Sequence, residues 1–182
     1  SNNKILGVYK INDDPLTEIE ERLFNKKLKK LIRAHDLTIV SDYGHGLISK
    51  KSSKIICKNS KYLALNAQIN AANVGYHSMR NYENVNCVII NERELRHELR
   101  DKNGNLEILM KRLSKEQNIK NLVVTRGDQG SIFYNKKENK FNLSEAYAKS
   151  VIDKIGAGDA MLSVIALCLR SGFNKELALL IA

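Results

Sequence analysis

Apolar residues recur along this chain in two different rhythms. Residues 37–40, 62–65, 87–90 and 122–125 are short, mostly apolar runs, the pattern of strands buried on both faces. Between the runs the spacing changes to that of helices. Ile19, Leu23, Phe24, Leu28, Leu31 and Ile32 form one stripe, with Lys and Glu opposite, after a turn and helix start marked by Pro15 and Thr17. The same reasoning predicts helices over 49–58, 91–100, 106–117, 156–171 and from 175 onward. Residues 4–11 alternate like an edge strand, 66–82 read as a polar loop, and 131–135 with 140–143 read as a hairpin around 137–139. Continuous apolar strands alternating with amphipathic helices predict an α/β fold: a largely parallel sheet flanked by helices on both faces, with a small β-hairpin. Sites in such sheets lie at the carboxyl ends of the strands, which directs attention to the loops 42–46, 66–75, 91–94 and 125–130.

Composition narrows the class. The 182 residues, 43% hydrophobic with a single proline, suit one packed domain and argue against disorder. The formal charge of +10 raises nucleic acid, a membrane surface or small anions as partners. Yet the basic residues fall in 26–33 and 50–61, on the outer faces of predicted helices with few aromatics beside them. A solvated lysine-rich surface explains them, so neither nucleic acid nor membrane is expected as a partner. Cys57, Cys87 and Cys168 are odd in number, widely spaced and without a CxxC, which reads as buried thiols in a reducing, cytoplasmic setting.

Three segments carry candidate chemistry. In Asp153-Lys154-Ile155-Gly156-Ala157-Gly158-Asp159-Ala160, small residues at a helix start leave backbone N–H groups bare, an anion cradle favoured by the helix dipole. Asp159 follows the cradle, where a carboxylate would take a proton from an attacking hydroxyl; the bland alternative is an ordinary helix cap. Asn91 and Glu94, three apart after a strand, suit a Mg²⁺ shell built through water, or else a plain cap. Thr125-Arg126-Gly127-Asp128-Gln129-Gly130 is a strand end whose glycines would let backbone approach a ligand, or simply a turn; Arg126 would pair with phosphate or face solvent. Rival motifs fail. His97-Glu98 begins HExxH but residue 101 is Asp, and GxxxxGK[ST] and GxSxG are absent.

Together and in this order, these pieces resemble the ribokinase-like (PfkB) family of carbohydrate kinases. The resemblance implies ATP-dependent phosphorylation of a sugar or sugar-phosphate hydroxyl. Asp159 would be the base, with Gly156, Ala157 and Gly158 as the anion hole. Thr125, Gly127 and Gly130 would form the nucleotide-binding strand and loop, with Asn66 near the ATP phosphates. Asn91 and Glu94 match the family's NxxE, which supports Mg²⁺. Ser41-Asp42-Tyr43-Gly44-His45-Gly46-Leu47-Ile48 is similar to a loop of heptose-phosphate kinases, and residues 66–76 look like a loop of kinases fused to a nucleotidyltransferase domain. Lys154-Ile155 departs from the signature's frequent Thr-Thr or Val-Thr. The family's glycine-rich sugar-binding motif is not found here, and residue 182 falls inside a helix pattern. The chain therefore reads as a single partial domain over 1–182. It is expected to be inert alone and, with apolar edges bared, to form a homodimer. The alternative is a non-catalytic nucleotide-binding or dimerisation module derived from a kinase.

Overall fold

The computed structural model describes residues 14–68, 78–147 and 156–182. The strand expected at 4–11, the loop residues 69–77 and the signature residues 153–155 lie outside them. Among the described residues six strands form one sheet in the order β1-β2-β3-β4-β5-β6. β1 (Thr38–Asp42), β2 (Leu63–Ala67), β3 (Cys87–Asn91) and β4 (Asn121–Thr125) run parallel. β5 (Ser131–Asn135) and β6 (Lys140–Ser144) continue the sheet as the antiparallel hairpin.

Helix α1 (Glu18–Ala34) starts at a capping box in which Thr17 accepts from the Glu20 N–H while the Glu20 carboxylate accepts from the Thr17 N–H. α2 (Lys50–Asn59) is capped by Ser49, α3 (Glu92–Leu99) by Asn91 and α4 (Leu106–Glu116) by Asn105. These four helices lie on one face of the sheet, over a core that includes Val40, Leu65, Val88, Ile90, Leu122, Val124, Ile132 and Tyr134. α5 (Ala157–Arg170) and α6 (Lys175–Ile181) cover the other face. There Leu162, Ile165, Ala166 and Leu179 meet Ala64, Cys87, Ile89, Val123 and Phe133. Alternation along each strand thus feeds two cores, as expected of a sheet covered on both sides.

The structure departs from the pattern in informative places. β1 and β2 extend further than their apolar runs, so Ser41, Asp42 and Asn66 are strand residues rather than loop residues. Ladder bonding to the neighbouring strand carries polar residues into the sheet that hydropathy alone assigns to a loop. The α1 stripe is only partly covered: Ile32 is buried, whereas Ile19, Leu23 and Leu31 are exposed. The lysines of 26–33 and 50–61 are exposed, as a solvated face requires. Of the cysteines only Cys87 is buried; Cys57 and Cys168 are half-buried, because each sits on a helix flank rather than in a central strand.

Two outcomes follow. Phe133→Ala empties a fully buried site between β5 and α5, and should lower stability in urea unfolding by about 3–5 kcal/mol. Leu143→Ala on exposed β6 should change it by no more than about 0.5 kcal/mol. Burial also pushes the Cys87 thiol from 9.0 up to about 12. Its thiolate is therefore scarce at neutral pH, and alkylation of native protein should reach Cys57 and Cys168 long before Cys87. Because the folded-state value is the higher one, the protonated thiol's contribution to stability is intact below pH 9.0 and is lost as pH rises towards about 12.

Candidate active site

Parallel strands end on the same side, so the carboxyl ends of β1 to β4 share one rim. Register lines up its residues: Ser41 is opposite Asn66, and Asn91 is opposite Thr125. Asn66 is half-buried, and its Nδ2 donates to the Ile89 carbonyl at 2.8 Å, which pins its side chain to β3. Asn66, Asn91 and Thr125 therefore come together on this edge, as their positions at strand ends predict.

The amino end of α5 faces the same edge. Gly156 is its N-cap, at φ +83°, in the left-handed region that glycine adopts without strain. Among the described residues no side chain caps this helix. A Cβ added at Gly156 or Gly158 would meet no atom of the described residues within 4 Å. Those amides have no partner within the helix itself, and the dipole adds positive potential there.

Asp159 lies in that first turn, half-exposed. Its carboxylate does not cap its own helix. Ser41 Oγ donates to Oδ1 at 2.9 Å, and the Tyr43 hydroxyl donates to Oδ2 at 2.9 Å. Both donors come from the end of β1, more than a hundred residues away in sequence. The hydrogen bond to Asp159 raises the Tyr43 phenol above its ordinary value, so the phenol is a neutral donor. The Ser41–Tyr43 contact to Asp159 was not legible in the sequence, although the segment itself stood out. Below it, the buried Asp42 accepts from the Gly44 N–H at 3.0 Å and from the Tyr82 hydroxyl at 2.6 Å, which roots the loop.

Asn91 and Glu94 form a full capping box. Asn91 Oδ1 accepts from the Glu94 N–H, and Glu94 Oε2 accepts from the Asn91 N–H, both at 2.8 Å. The helix cap weighed as the plain alternative is therefore realised in these bonds, and it holds both oxygen-bearing side chains at the rim. Among the described residues no cluster of three or more His, Cys, Asp or Glu is arranged to hold a metal.

After β4 the chain turns through a short 3-10 segment, Gly127–Gln129. Gly127 (φ +62°) faces open space. Gly130 (φ +77°) is demanded by the fold itself, since a Cβ there would come within 2.0 Å of the Ser144 carbonyl oxygen. The Arg126 N–H donates to the Gly130 carbonyl at 2.8 Å and closes the turn. Arg126 is not a free phosphate ligand here: its Nε reaches Glu92 at 3.1 Å, and its guanidinium also meets Gln129. Glu92 in turn holds Arg96 at 2.8 Å. Burial raises the Glu92 carboxyl, but the hydrogen bonds from Arg96 and Arg126 outweigh it and leave it below the usual range. This Arg126–Glu92–Arg96 chain was also missed, because ordinary helix charge spacing conceals it.

The curated relatives include "Bifunctional protein HldE" of Desulfatibacillum aliphaticivorans, 24% identical over 186 residues, covering 100% of this chain and 37% of that protein. The namesake in Campylobacter concisus is 28% identical over 148 residues, covering 79% and 30%. The chain thus spans about a third of the length of these relatives. Among solved structures, Escherichia coli phosphofructokinase-2 in complex with potassium superposes with a TM-score of 0.74 at 15% identity, covering 91% of this chain and 53% of that one. Arabidopsis thaliana ribokinase complexed with ribose and ATP gives 0.63 at 19%, covering 85% and 49%. At these identities the structural likeness speaks for the fold. The pfkB family carbohydrate kinase profile, however, matches residues 20–182, and on that match the chain belongs to the pfkB family of carbohydrate kinases.

Proposed function

We propose that this rim is the catalytic and nucleotide side of an ATP-dependent kinase acting on a hydroxyl of a sugar or sugar phosphate. The observation that carries the reading is the position of Asp159: a carboxylate in the first turn of α5, held by two hydroxyls from the end of β1. A carboxylate that already accepts from alcohol-type donors suits an incoming alcohol. In the proposed mechanism the acceptor oxygen attacks the γ-phosphorus in line. Its proton passes to Asp159 as the bond to the β-bridging oxygen breaks, and ADP leaves. The amides of Gly156, Ala157 and Gly158 stabilise the charge on the transferring group. Thr125, Gly127 and Gly130 would line the nucleotide, with Asn66 towards its phosphates.

The donors near β3 are oxygens: the Glu94 carboxylate, the Asn91 amide and the Thr125 hydroxyl. Such a set suits Mg²⁺, a hard cation that keeps several of its waters, and Asn91 and Glu94 would hold it through those waters. When bound, Mg²⁺ neutralises phosphate charge. The loop at 41–48 supports a heptose phosphate as the first acceptor to assay, because of its resemblance to heptose-phosphate kinases.

A second reading has its own observation. Ile19 and Leu23 on α1, with Leu177, Leu180 and Ile181 on α6, are exposed, which favours an assembly role and a homodimer. Calorimetry with ATP and Mg²⁺ separates the two: a kinase binds the nucleotide, whereas a purely structural dimerisation module does not.

The direct test is Asp159→Asn in the complete gene product. Sugar phosphorylation should fall by about 10²–10⁴-fold while ATP affinity is retained. Near-normal turnover would exclude Asp159 as the base.

A further inference from the structure

Building on the reading of Asp159 as the base, we infer that Tyr43, seconded by Ser41, guards that base. Its phenol occupies the carboxylate until an acceptor hydroxyl displaces it, and so suppresses hydrolysis of ATP by water.

The geometry separates the two donors. Ser41 lies within β1, in register with Asn66, so its Oγ approaches Oδ1 from a fixed backbone. Tyr43 lies just past the strand. Its side chain is 40% exposed and its ring lies parallel to that of His45, with centroids 6.5 Å apart. Gly44 and Gly46 both sit at positive φ, +71° and +81°, so the chain doubles back around His45. The root beneath does not depend on the Tyr43 ring: Asp42 is buried and bonded to the Gly44 N–H and the Tyr82 hydroxyl. The phenol is thus a donor from just past the strand, on a residue far more exposed than the Asp42 beneath it, and its displacement would leave the bonds of Asp42 in place. An acceptor hydroxyl would take its place on Oδ2 while Ser41 keeps hold of Oδ1.

The reaction guarded against balances without any further reagent. With Tyr43 absent, a water oxygen would attack the γ-phosphorus, forming a P–O bond as the bond to the β-bridging oxygen breaks. The water's proton passes to Asp159, and ADP and inorganic phosphate leave.

The test compares ADP release with Mg·ATP, with and without sugar, in the complete gene product carrying wild-type sequence, Tyr43→Phe, Asp159→Asn, or both substitutions. Tyr43→Phe keeps the ring and removes only the hydroxyl of an exposed side chain, so folding is not at stake. Sugar-free hydrolysis should rise about tenfold, the scale set by loss of a hydrogen bond to a charged group, and fewer phosphoryl groups should reach sugar per ATP consumed. In the double variant the rise should vanish. If Tyr43→Phe leaves sugar-free hydrolysis unchanged while Asp159→Asn still abolishes transfer, the guard is refuted and the kinase reading stands. If Asp159→Asn transfers normally, both fall. As a second readout, ¹³Cζ-tyrosine NMR of the same protein should show Tyr43 titrating above an ordinary tyrosine, and returning to it in Asp159→Asn. Equal titration in the two proteins would remove the contact on which the guard depends.

Discussion

The seating of α5 on the sheet is the constraint on which the site depends. A helix can approach strands closely only where the facing side chains are small, and here Ala64 and Cys87 provide that floor. Leu162, Ile165 and Ala166 fill it from above, flanked by Ile89, Val123 and Phe133. Each of the larger of these side chains contributes about 1.5–3 kcal/mol when fully buried. The contact fixes the helix axis, and with it where the first turn emerges. Asp159 lies about two turns before Ile165 and Ala166, which are locked, so it reaches the end of β1 rather than solvent. An apolar contact on the underside thus sets the position of a carboxylate at the rim.

Much of this architecture was readable from hydropathy rhythm, since buried parallel strands and amphipathic helices leave different periods. The hairpin at β5 and β6 was readable too, and the start of α1 followed from Pro15 and Thr17. What rhythm could not show was where polar residues continue a ladder. Ser41, Asp42 and Asn66 are in strands because their backbones pair across the sheet, whatever their side chains prefer. Likewise the local pattern on α1 marks Ile19 and Leu23 as apolar, but whether anything covers them is a tertiary matter.

For the site, legibility followed the same division. The Gly156–Asp159 turn and the Asn91–Glu94 pair are local, so spacing alone singled them out. The glycines at 127 and 130 were equally visible, but sequence could not say that one is demanded by the Ser144 carbonyl while the other faces open space. Contacts across long separations were invisible. Tyr43 and Asp159 stand 116 positions apart, and Arg126 and Glu92 stand 34 apart. Nothing in either segment names its partner; only the common direction of β1 to β4 and the seat of α5 bring them together.

The choice of partners around Asp159 has a chemical logic of its own. A cation paired with that carboxylate would have to be parted from it before an alcohol arrived, and separating opposite charges costs Coulomb energy. A hydroxyl imposes no such barrier. Replacing the phenol O–H by an acceptor O–H exchanges one neutral donor for another, with the number of hydrogen bonds and the net charge unchanged. Arg96 and Arg126 are instead paired with Glu92, which directly follows β3. Among the described residues the Asp159 carboxylate is thus held by two hydroxyls, donors of the same chemical kind as an alcohol, while these arginines are paired with Glu92.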